Sequence, residues 1–161
     1  MIPSLWGYGS TYVRFDYEVM FLASFRIVCT GVLKVIALDP AQCKEFVKDN
    51  EEALKLCGGK QEVSPATLSK LLQNMTPEMA KTMVEQYKLY VTTVSAGQAV
   101  YIPPGWLVGT TVINGQVSSG LKMNLLPKKF NTQALAFIKS TTTEKAKLQC
   151  LDIILAEGGG D

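Results

Sequence analysis

The 161-residue chain contains no histidine. Without imidazole there is no Ser-His-Asp triad, no Cys-His nucleophile pair, no HExxH zinc helix and no His-ligated iron. Charge is sparse as well. Sixteen Lys+Arg against fourteen Asp+Glu leave a net charge of +2, no electrostatic footprint for nucleic acid. The cysteines Cys29, Cys43, Cys57 and Cys150 form no CxxC pair. The N-terminal MIPSLWGYGS lacks a charged region followed by an apolar one, so no signal peptide is expected. Together these features predict buried thiols in an intracellular protein, cytoplasmic or nuclear. The longest apolar run, Val19 to Leu38, contains Arg26 and Lys34. Each costs about 2.5–3.5 kcal/mol at a bilayer centre. Thr30-Gly31 divides the run, which reads as two buried strands joined by a tight turn, not as a membrane span.

With 47% hydrophobic residues, the chain has the composition of one globular domain over residues 1–161. Strands are expected over Thr11–Asp16, Val19–Cys29 and Val32–Leu38, before Asp39-Pro40 breaks the pattern. A helical insertion spans about 41–88. Ser64-Pro65 and Thr76-Pro77 each pair an N-cap with proline at the first helical position. Met79, Met83 and Tyr87 form one apolar stripe there, expected to pack on the sheet, with an adaptable partner surface as the alternative. Strands resume over Tyr90–Val94, Gln98–Ile102, Leu107–Ile113 and Val117–Leu125, the last two flanking the hairpin signal Asn114-Gly115. The barrel strands thus cover about 11–38 and 89–126, and C-terminal helices about 131–156. Many short strands broken by Gly and Pro suggest a barrel or sandwich.

The most specific string is Gly97-Gln98-Ala99-Val100-Tyr101-Ile102-Pro103-Pro104-Gly105-Trp106: a turn, a short apolar strand, and a corner forced by proline and glycine. It resembles the G-D-x-x-[FY]-[IV]-P-x-G-W run of the JmjC-type double-stranded β-helix within the cupin superfamily. The family's H-x-[DE] pair is matched by Arg14-Phe15-Asp16, and its G-x-x-K stretch by Gly31-Val32-Leu33-Lys34. The resemblance covers roughly residues 11–40 and 89–125. It implies a mainly β fold with added helices, a jelly-roll barrel carrying a helical insertion and a C-terminal helical cap. It also implies that Lys34 stands where the family's lysine holds a carboxylate of 2-oxoglutarate.

The family's iron ligands are replaced. Arg14 and Val108 stand at the histidine positions and only Asp16 remains, whereas a facial iron site needs two imidazoles and a carboxylate. A guanidinium cannot ligate a cation. The resemblance therefore implies a non-catalytic binding or scaffolding domain with no metal and no cofactor. Arg14, Asp16 and Glu18 share one strand face, so Arg14 either replaces the metal beside Asp16 and Glu18 or forms an ordinary surface ion pair. Lys34 either points inward to bind a small carboxylate or guards an edge strand. Two other functions stay open: a structural subunit of a larger assembly, and a metal-independent enzyme using Lys34, Asp16 or Tyr101. The expected partner is protein, with a small carboxylate as the alternative, and the oligomeric state is open. Little chain precedes Thr11 to supply a first barrel strand, which leaves open a fragment or a barrel completed by another subunit.

Overall fold

The structure, a computed structural model, describes residues 3–9, 13, 15–18, 22–59, 64–113, 116–125, 136, 139 and 145–157. β-Branched and aromatic runs form β1 (Pro3–Tyr8), β2 (Phe15–Tyr17), β3 (Ala23–Thr30), β4 (Val32–Leu38), β5 (Leu89–Ser95), β6 (Ala99–Ile102), β7 (Leu107–Val112) and β8 (Ser118–Leu125). Helices α1 (Pro40–Asp49), α2 (Glu51–Leu56), α3 (Pro65–Asn74) and α4 (Pro77–Gln86) lie between β4 and β5, and α5 (Lys145–Glu157) follows β8. The molecule is mainly β with helices added.

The strands make two four-stranded sheets, ordered β1-β8-β3-β6 and β2-β7-β4-β5, with every pairing antiparallel. Four of the pairings, β1·β8, β2·β7, β3·β6 and β4·β5, are the rungs of one long hairpin of eight strands. The other two, β3·β8 and β4·β7, join its rungs into two sheets. Each connection β1–β2, β3–β4, β5–β6 and β7–β8 therefore passes from one sheet to the other. At Gly31 the chain changes sheet in a single residue, with φ +72°, a backbone shape that glycine tolerates. This end is tied together: Ala96 N donates to Gly31 O at 3.1 Å, Gly97 N to Val28 O at 2.8 Å, and Ser118 Oγ to Thr30 O at 3.0 Å. The opposite end holds the end of β2, the start of β3, the end of β8 and the corner at 103–106.

Two expectations need correction. Residues 3–8 do form a first strand, with Trp6 opposite Gly120 on β8. The strands flanking Asn114-Gly115 lie in different sheets, so they make no hairpin ladder, and the dipeptide itself lies outside the described residues. Of the strand expected over 11–16, Phe15 and Asp16 fall in β2, which runs on to Tyr17, while residues 11, 12 and 14 lie outside the described residues. The start of the C-terminal helices expected from about residue 131 also lies outside the described residues.

The helix starts agree with their local chemistry. Ser64 Oγ accepts from Thr67 N, and Thr76 Oγ1 from Met79 N. Asp39 caps α1, where Pro40 occupies the first turn. Phe46, Leu68, Leu71, Met79 and Met83 from these helices bury against Phe15, Leu38, Leu89 and Leu107 on one face of the β2-β7-β4-β5 sheet. The methionine stripe is thus core packing. The other face of that sheet meets the second sheet through Val28, Leu33, Val35, Ala37, Val94, Ile102 and Val108. Among the described residues no helix is long and apolar enough to cross a membrane.

Candidate functional site

Period two along β3 turns Ser24, Arg26 and Val28 to one face, and Val28 belongs to the cluster between the sheets. Residues directly opposite in a sheet share a face. Arg26 lies opposite Lys122 on β8 and Val100 on β6, and Ser24 opposite Asn124 and Ile102. The facing sheet presents Asp16, Val108, Ala37 and Tyr90 as one cross-strand row. The space between the sheets therefore grades from charged on the β2/β8 side to apolar on the β5/β6 side.

Glu18, just beyond β2, is the centre of the charged side and only 5% exposed. Its Oε1 accepts from Ser24 Oγ at 2.8 Å and from Arg26 Nη2, and its Oε2 pairs with Lys122 Nζ. Burial raises the Glu18 pKa, but the charge of Arg26 and the hydrogen bonds and charge of Lys122 outweigh it, leaving the carboxyl below its ordinary value. Two cations thus surround one carboxylate. Arg26 is 4% exposed, and its Nε and Nη1 have no hydrogen-bond acceptor among the described residues.

The apolar side opens between the edge strands β5 and β6 as a cleft of about 390 Å³. Val35, Ala37, Tyr90, Val100, Ile102 and Trp106 contribute to its lining. Tyr90 stacks on Trp106 with ring centroids 5.4 Å apart. The volume falls within the ~300–1,000 Å³ of small-molecule clefts.

The residues singled out by sequence divide between these features and elsewhere. Asp16 lies opposite Val108, as a shared site requires, but it is exposed and its Oδ1 accepts from Tyr17 N. Val108 is buried in the apolar cluster. Arg14 lies outside the described residues. The carboxylate held by cations is that of Glu18, and those cations are Arg26 and Lys122. Lys34 is exposed, on the face of β4 opposite Leu33, Val35 and Ala37, so the expected inward placement is not observed. Gly97 sits at the β5–β6 crossing, Tyr101 is exposed on β6, and Pro103, Pro104, Gly105 and Trp106 make the corner into β7. Sequence reasoning missed Ser24, Arg26 and Lys122. Their only signal was polar residues alternating with apolar ones on strands otherwise fit for burial.

Among the described residues no group of three or more His, Cys, Asp or Glu side chains is placed to hold a metal. Comparison with protein-family models and with curated proteins returned no match.

Proposed function

We propose that the chain is a JmjC-type double-stranded β-helix domain of the cupin superfamily that has lost its iron site and acts as a non-catalytic binding or scaffolding module. The strand orders support this reading, since a long eight-strand hairpin rolled into two sheets is the jelly-roll winding. The corner from Gly97 to Trp106 supports it too. The family's H-x-[DE] pair fits better two residues further on, over Asp16-Tyr17-Glu18. Asp16 is then the residue facing Val108, and Glu18 is the surviving carboxylate.

One observation carries the loss of iron: both oxygens of Glu18 are held by cationic side chains. Neither a guanidinium nor an ammonium can ligate a metal, and their charge opposes a divalent cation beside them. The residues present do not fit a facial iron centre. After anaerobic incubation with Fe(II) and 2-oxoglutarate, the desalted protein should carry far less than one iron per chain and form no succinate. Stoichiometric iron or measurable 2-oxoglutarate turnover overturns the reading.

A further inference from the structure

On β3, Arg26 stands between the charged and the apolar halves of the space between the sheets. On one side its strand neighbour is Lys122, within the charged cluster. On the other it is Val100, in the lining of the cleft. Directly opposite residues in an antiparallel pair lie about 4.5–5.5 Å apart. The head of Arg26 is buried, yet among the described residues Nε and Nη1 have no acceptor. Unsatisfied buried donors are rare in folded proteins and call for an acceptor such as a ligand, an ion or a water, or for strain. Within this group of three, Glu18 balances only one of its two cationic partners. Val100, the residue opposite Arg26, also lines the apolar cleft, whose walls include two stacked aromatic rings.

We infer that this module binds a small monocarboxylate with an aromatic or branched aliphatic body. Its carboxylate takes the free donors of Arg26, and its apolar body fills the cleft against Tyr90, Trp106 and Val100. A doubly charged small acid suits the site less well, because the second charge would face apolar walls and Glu18 stands beside the first. An uncharged analogue leaves the guanidinium donors unsatisfied. The inference rests on the proposed metal-free cluster, since an iron held at Glu18 would require Arg26 and Lys122 to move away.

Phenylacetate is the probe, compared with phenylacetamide, acetate and succinate at matched ionic strength. Phenylacetate should raise the melting temperature saturably, by about 3–6 °C at ten times its half-saturating concentration. The other three should need at least about tenfold more, given the usual worth of a charge-assisted hydrogen bond and of the lost apolar contact. Arg26→Lys keeps the charge but removes the fork, and should weaken phenylacetate binding about tenfold or more. Tyr90 is 54% exposed. Tyr90→Ala should therefore fold even if Arg26→Lys does not, and it should weaken binding about two- to tenfold. No shift with phenylacetate overturns the inference. So does an equal shift from acetate or from the amide, binding unchanged by Tyr90→Ala, or binding abolished by Lys34→Met. Iron content measured on the same samples reports separately: stoichiometric metal removes the metal-free reading whatever the acids do.

Discussion

Glu18 meets both cations of the cluster, so its charge is the most consequential in the described structure. Its folded pKa lies below the ordinary glutamate value of about 4.3. A depressed carboxyl stabilises the folded state above the unfolded pKa, and the contribution disappears as pH falls through the folded pKa. Urea-unfolding midpoints should therefore be insensitive to this group from about pH 6 to 8 and fall below about pH 4.5. Glu18→Gln should cost about 3–5 kcal/mol at neutral pH, because Arg26 and Lys122 stay without their carboxylate. It should also flatten the acid decline, and an unaltered acid limb in that variant would show that the cluster does not govern acid stability. The thiols give a second readout at this scale. Cys29 is exposed, whereas Cys43 and Cys57 are buried, and burial pushes both of their thiols up from the ordinary value. Brief iodoacetamide labelling of the native protein should modify the Cys29 peptide and spare those of Cys43 and Cys57 until denaturant is added. Rapid native labelling of Cys43 would contradict the helical packing.

At the scale of elements, β8 approaches its neighbours most closely at Gly120. A Cβ there would lie 1.9 Å from Ile27 O and 2.7 Å from the Trp6 ring. Trp6 crosses over this glycine to join the cluster between the sheets. Gly120→Ala should therefore cost about 1–3 kcal/mol or more by overpacking. At about 2–4 °C per kcal/mol for a chain of this size, the loss is readable by thermal melt. A melting temperature within 1–2 °C of wild type would contradict that close approach. What could be read from sequence follows the same division between local and non-local causes. Strand Val32–Leu38 and the caps Ser64 and Thr76 were legible because their causes lie within a few residues. Pairing partners were not. Asn114-Gly115 has the chemistry of a hairpin, but a rolled hairpin sends its two flanking strands to different sheets. The inward face of β4 was equally hidden. Leu33, Val35 and Ala37 pack against one sheet while Ile36 and Leu38 pack toward the helices, so both faces are apolar and alternation alone cannot say where Lys34 points. The Glu18 cluster was invisible for a related reason: register, not spacing along the chain, brings Arg26 and Lys122 together.

For the whole molecule, the two sheet orders set which backbone groups solvent can reach. Among the described residues, strands β8, β3, β7 and β4 are paired on both sides, whereas β1, β6, β2 and β5 each pair on one side only. An edge strand leaves alternate N–H groups without a ladder partner, and exposed edges invite another chain. Tyr90, Val91 and Tyr101 are exposed on β5 and β6, beside the cleft. Native-state hydrogen exchange on the isolated chain should therefore protect 24–28, 33–38, 107–112 and 119–124 most strongly. In β5 and β6 roughly alternate amides should exchange fast, because the strand period exposes every second one. Phenylacetate should slow exchange around Tyr90 and Val100 without changing β1, because the cleft is at the opposite flank of that sheet. If both edges instead match β3 and β4 in protection, they are covered in solution, and native mass should then read a multiple of the 17.6 kDa chain. That result would assign the β5/β6 flank to assembly and leave no room for a small acid in the cleft. Alternating fast exchange with a monomeric mass keeps the flank open for one.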